Sequence, residues 1–153
     1  MDRVDLAIIE QLRRNCRLTN TELADAVGLT PSPCLRRVRR LEEQGVITGY
    51  HARVDPAAIG RAFEVLVDIE LSDQSPENAE RFEAELVSYP EVVEARRMFG
   101  APDFELVVAT KDLAAYETFM RSKLLRLPGM GRLQSRFPMV RIKSAFSSAA
   151  PGD

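Results

Sequence analysis

Tryptophan is absent from this chain of 153 residues, and histidine and cysteine are scarce, at one and two copies. Cys16 and Cys34 form no Cys-x-x-Cys pair, and His51 alone cannot complete a zinc ligand set, so neither structural zinc nor a disulfide framework organises the fold. No apolar run approaches the roughly 20 residues needed to cross a bilayer. The opening "MDRVDLAIIEQLRR" carries acids where a secretory leader would carry a basic and then an apolar stretch, and the expectation is a cytoplasmic protein with no membrane association. Gly-rich phosphate loops, serine-triad spacing and paired carboxylates in an apolar setting are missing too, so neither a cofactor nor catalysis is expected.

What is present is the make-up of a globular protein, 45% hydrophobic and 29% charged, long enough for one ordinary domain or two small ones. The formal net charge is −2, yet the charge is uneven: residues 1–60 hold nine Lys and Arg against eight Asp and Glu, and residues 61–153 hold twelve against fifteen. Within "TPSPCLRRVRRLEEQG" four arginines, Arg36, Arg37, Arg39 and Arg40, crowd into five positions. Like charges this close repel, so such a block is either a solvated helix face or a seat for a polyanion.

The neighbouring segments decide between these. Val4, Leu6, Ile8, Ile9 and Leu12 predict an amphipathic helix over 2–14 with Asp2 at its cap and Asp5 in its first turn. Thr19 and Glu22 have capping-box spacing, flanked by Leu18 and Leu23 as a hydrophobic staple, so a second helix starts at residue 20. Gly28 ends it, and Thr30-Pro31 or Ser32-Pro33 opens a third, along which Cys34, Val38 and Leu41 form an apolar stripe. "VITGYHARVD" alternates around a Thr48-Gly49 turn signal and reads as a small strand or wing.

Further on, "FEVLVDIEL" alternates as a strand with one buried face; Ser75-Pro76 caps a helix running to about Tyr89; strands follow near 92–99 and 104–110; a helix runs from Asp112 to Leu127; and "LQSRFPMVRIK" ends the pattern as a strand. The fold class is α+β: an N-terminal winged helix-turn-helix domain followed by a βαββαβ ferredoxin-like domain. Its expected limits are 1–50 for the first, 51–61 for a linker, 62–146 for the second and 147–153 for a loose tail. Pro138 cannot donate to a ladder, so the last strand should be an edge or bulged.

A helix-turn-helix with arginines on its last helix can place that helix in a major groove, where guanidinium groups contact phosphates or guanine edges. On this reading Arg36 and Arg40 share one side, Arg39 flanks it, and Ser32 and Pro33 sit at the end nearest the bases; Arg37 is equally placed to pair with an acid of the first two helices. Cys34 is a small buried hydrophobe rather than a redox switch, and His51 is read as a surface residue. Asp103 follows Gly-Ala-Pro in a hairpin, where the pattern alone assigns it turn chemistry.

With these residues in place, the chain resembles the leucine-responsive and asparagine-operon regulator (Lrp/AsnC) family over nearly its whole length: the Asp-x-x-Asp start and the Cys-x-x-Arg-Val-x-x-Leu helix look like its DNA-binding half, and "GAPDFELVVATKDLAAYETF" with "LLRLPGM" resembles its regulation of amino-acid metabolism (RAM) domain. The resemblance implies a transcriptional regulator that binds double-stranded DNA as homodimers, often assembled into octamers, with an amino acid or related metabolite bound between RAM domains. The family's Gly-Asp-x-Asp-Tyr stretch matches residues 100–104, where Gly100, Asp103 and the ring of Phe104 are kept and Ala101 replaces the first acid. Arg97, Leu113 and Arg136 match positions that neighbour this effector site in relatives. Two other readings share the architecture. Sirohaem decarboxylases resemble it but carry a His-containing, Tyr- and Trp-rich stretch where this chain has Phe104-Glu105-Leu106-Val107. An architectural DNA-binding protein without an effector is the other.

Overall fold

A computed structural model of the chain describes residues 1–140 and 142. It divides into two compact units, Met1–Arg53 and a second beginning at Val54. In the first, α1 (Arg3–Arg14), α2 (Asn20–Ala26) and α3 (Pro31–Glu43) enclose Ile8, Leu23, Ala24, Cys34 and Leu41, with Val4, Leu12, Leu18 and Val38 packed around them. The helix starts are fixed locally. Asp2 accepts the Asp5 N–H at 2.9 Å while Asp5 accepts that of Asp2 at 3.0 Å, and Thr19 and Glu22 close the same reciprocal box on α2. Gly28 at φ 68 ends α2 and lets Leu29 N–H reach the Ala24 carbonyl at 2.8 Å. Pro31 opens α3, and its carbonyl accepts from Asn20 Nδ2 at 2.8 Å, which ties the two helices together.

The expected strand after Gly45 does not form: residues 46–55 carry no ladder. A strand needs a partner, and this short segment has none among the described residues of its unit. It turns back instead, with the Val46 and Ile47 N–H groups on the Leu41 carbonyl and Tyr50 Oη donating to Glu42 at 2.7 Å.

The second unit is a four-stranded antiparallel sheet in the order β2-β3-β1-β4, built from β1 (Phe63–Leu71), β2 (Val92–Arg97), β3 (Phe104–Thr110) and β4 (Met130–Arg136). Helices α4 (Pro76–Leu86) and α5 (Leu113–Ser122) complete the βαββαβ order. Their side chains Phe82, Leu86, Tyr116 and Phe119 bury the odd-numbered apolar residues of β1, from Val65 to Leu71, and Phe104, Leu106 and Val108 of β3. The even-numbered residues of β1 occupy the opposite face.

Several boundaries differ from the sequence expectation, β2 among them, which ends at Arg97. α5 stops at Ser122 rather than Leu127, because Lys123 leaves the helical region and pairs with Glu91 at 2.9 Å; a 3-10 turn, Leu124–Arg126, then buries Leu124 and Leu127. α4 stops at Leu86, and Tyr89 lies in the following turn with its hydroxyl on Glu85. β4 starts earlier, at Met130, and ends two residues before Pro138, and it is an edge strand with a register shift opposite Glu70 and Leu71. At its entry Gly129 has φ 68, and a Cβ there would lie 1.9 Å from Asn78 Nδ2. The 147–153 tail lies outside the described residues.

Candidate nucleic-acid interface and effector site

Helical geometry sorts the arginine block of α3. Residues step round an α-helix by about 100°, so with Cys34, Val38 and Leu41 facing the core, Ser32, Arg36 and Arg39 lie opposite them and are exposed. Among the described residues neither Arg36 nor Arg39 has an ion-pair partner. Arg37 and Arg40 fall on the flank that meets α1. Arg37 Nη1 reaches Asp2 Oδ2 at 2.7 Å and Asp5 Oδ1 at 2.8 Å; Arg40 Nη2 stands 2.8 and 2.7 Å from the two oxygens of Asp5. Asp5 is only 1% exposed. The Asp5 N–H, followed by the Arg37 guanidinium, holds the Asp2 carboxyl down at about 2, and the Asp2 N–H together with both guanidinium groups keeps Asp5 below its usual value against the opposing effect of burial. The structure therefore gives Arg37 the pairing with an acid of the first helix that the sequence left open, and gives Arg40 an intramolecular partner that the sequence did not suggest. Pro33 is half-buried and Ser32 exposed at the start of the helix. Burial pushes the Cys34 thiol up, which suits a packing residue.

Of the six residues singled out for an effector, Arg97, Gly100, Asp103 and Phe104 share the β2–β3 hairpin, where Arg97 stands opposite Phe104, but Leu113 and Arg136 lie on other elements and the polar side chains among the six engage separate partners. Gly100, at φ 111, leads into Asp103, whose Oδ2 accepts the Leu71 N–H at 2.7 Å and whose carboxylate also receives Gln74 Nε2 at 3.1 and 3.3 Å. The Asp103 N–H returns to the Ile69 carbonyl at 2.9 Å. Phe104 points the other way, into the core, with its ring 4.8 Å from that of Phe82. Arg97 pairs with Glu83 of α4 at 3.1 Å, Leu113 is an exposed residue opening α5, and Arg136 pairs with Asp68 at 2.7 Å. A shallow cavity of about 150 Å³ lies beside the loop instead, lined by Asp68, Glu70, Ala101, Pro102, Arg132 and Gln134. Asp68 stands opposite Gln134 and Glu70 opposite Arg132 in the β1–β4 ladder. Sequence reasoning missed these four, although the alternation of β1 already placed Asp68 and Glu70 together on the face away from the apolar core.

A helix-turn-helix unit with an outward arginine face, joined to a ferredoxin-like unit carrying a small charged cavity, defines a DNA-binding transcriptional regulator that responds to a small ligand. Known proteins agree: residues 1–48 match a family model described as winged helix-turn-helix DNA-binding, and residues 64–147 match one described as the Lrp/AsnC ligand binding domain. The chain belongs to the Lrp/AsnC family. It is 40% identical to the Bkd operon transcriptional regulator of Pseudomonas aeruginosa, covering 99% of this chain and 97% of that one, and 36% identical to the leucine-responsive regulatory protein of Escherichia coli K12, covering 95% and 88%. Among solved structures, a transcriptional regulator of Neisseria meningitidis in complex with L-Met superposes with a TM-score of 0.90 at 31% identity, covering 99% of this chain and 96% of that one. No helix among the described residues is long and apolar enough to cross a membrane.

Proposed function

We propose that this regulator reads duplex DNA with Ser32, Pro33, Arg36 and Arg39 of α3, works in the cytoplasm as a homodimer that assembles further, and responds to an amino acid or a closely related zwitterion. The observation that carries the DNA assignment is the two-and-two division of the four α3 arginines, of which Arg36 and Arg39 are exposed and without an ion-pair partner among the described residues. The effector class rests on the mixed charge of the cavity. An ammonium and a carboxylate leave water together when a zwitterion binds, and Asp68 and Glu70 on one strand with Arg132 on the other offer both signs within one small volume. Asp103 serves this site as a brace for the loop that carries Ala101 and Pro102, rather than as the ammonium acceptor. The L-Met complex of the Neisseria relative supports the class. Membership of a regulator family supports a non-enzymatic role over a sirohaem decarboxylase.

Footprinting with and without Arg36→Ala/Arg39→Ala tests the DNA half. An imperfect palindrome with half-sites about one helical turn, or a multiple, apart should be protected by the wild type and lost in the double variant; protection unchanged by the double variant would remove α3 from the interface. A thermal-shift panel of the twenty amino acids tests the other half, since a ligand that binds only the folded state raises the melting temperature. Arg132→Gln should abolish the shift. Tetrapyrrole absorbance on adding sirohaem would instead favour the enzyme, and the lack of any ligand response the architectural protein.

A further inference from the structure

Asp5 occupies an unusual position for an acid: buried, at the third residue of a helix, with a second carboxylate beside it. The helix N-terminus favours negative charge there, but two adjacent carboxylates need more than that, and α3 supplies it. Asp5 Oδ1 accepts from Arg37 and Arg40, and Oδ2 accepts from Arg40 and from the Asp2 N–H. Both oxygens are thereby fully engaged. A carboxylate held by three donors, Arg40 Nη2 spanning both oxygens, fixes the guanidinium groups around it, and because they project from the flank of α3, it also fixes the rotation of α3 about its own axis against α1.

We infer that Asp5 is a positioning residue for DNA recognition, a clamp that turns Ser32, Arg36 and Arg39 outward and withholds Arg37 and Arg40 from the phosphates. This rests on the reading of α3 as the DNA-binding helix. It has a quantitative signature. Each phosphate neutralised on duplex DNA contributes about −0.9 to the slope of log K against log salt. Two free arginines for each α3 bound give about −2 per subunit from the helix, whereas four would give about −4. The clamp thus keeps the sequence-independent share of affinity low without removing arginines from the helix, which favours specific over non-specific sites.

The test uses the full chain and a labelled random-sequence duplex of about 40 base pairs, long enough for two half-sites one or more turns apart, titrated by anisotropy over a range of salt. Arg39→Gln should make the slope shallower by about one for each subunit bound, while Arg40→Gln should keep the wild-type slope. Asp5→Asn should make it steeper by about the same amount, through release of Arg40, and Asp5→Asn/Arg40→Gln should restore it. An Arg40→Gln slope as shallow as that of Arg39→Gln overturns the inference, as does an Asp5→Asn protein that binds more weakly at unchanged slope, the result a purely structural role would give. Should Asp5→Asn fail to fold by circular dichroism, the comparison of Arg39→Gln with Arg40→Gln decides alone. Loss of the underlying DNA assignment looks different: neither Arg36→Gln nor Arg39→Gln would then alter the slope.

Discussion

The Asp103 carboxylate accepts the backbone N–H of Leu71 at 2.7 Å, so the connection between β2 and β3 is pinned to the end of β1 by a residue 32 positions away. Gln74 shares that carboxylate. Asp103→Ala leaves the Leu71 N–H without its partner and should destabilise the second unit by about 1–3 kcal/mol, the usual cost of a hydrogen-bonding group left unsatisfied. Asp103→Asn keeps an acceptor oxygen and should recover most of the loss. Denaturant titrations of the two variants and the wild type check this; equal midpoints for all three would deny the brace.

The thiols should divide one and one. Cys16 is exposed, while Cys34 is buried, with its thiol pushed up by that burial. A chromogenic thiol reagent should label a single site per native chain at neutral pH and two after denaturation, and rapid labelling of Cys34 in the native protein would contradict the packing of α3.

Acid should loosen the N-terminal unit. The carboxyls of Asp2, Asp5 and Glu22 are all held below their usual values, Asp2 at about 2 by the Asp5 N–H and then Arg37, Glu22 by the N–H and hydroxyl of Thr19. A depressed carboxylate contributes its stability in full above its unfolded value, near 4, and loses it as pH falls through the folded value. Helical signal and melting temperature should therefore hold down to about pH 4 and decline between about 4 and 2. Asp2→Asn should lower the plateau and flatten the decline.

The phenols should resist alkali. All three tyrosines of the chain are raised, Tyr50 and Tyr89 to about 12, first by burial and then by donating to Glu42 and Glu85, and Tyr116 by burial. A group raised on folding contributes stability that is whole below its unfolded value and lost as pH climbs through the folded one. Ultraviolet titration should show little phenolate near pH 10 in the native protein and a midpoint near 10 in denaturant. A native midpoint at 10 would mean that the hydroxyls are free in solution.

Features governed by neighbours in sequence were the most legible. The Thr19–Glu22 box, the Asp2 cap and the Gly28 stop are local chemistry, and the structure reproduces each. The βαββαβ order followed from the change between a period of two and one of 3.6. Arg40 shows where such reading ends: it shares a side of α3 with Arg36, yet it lies about 40° nearer to α1, and an acid 35 residues earlier determines its role. The strand expected after Gly45 failed on a tertiary requirement, the need for a partner strand. Phe104 was assigned by resemblance to the effector site, although its phase with Leu106 and Val108 already marked it as core.

Asn78 and Gly129 fit one another in a way that couples two distant positions. The amide of Asn78 occupies the space a side chain at 129 would take, while donating to the Asp73 carbonyl at 2.8 Å, and Ser72 holds the Gly129 carbonyl with both its N–H and its hydroxyl. In a comprehensive substitution map these positions would read as epistatic. Replacing Gly129 should be lost in the native background and partly rescued when residue 78 is shortened to Ala or Gly, with the remaining deficit set by the positive φ. Any graft of the second unit into another chain must therefore carry both residues or neither.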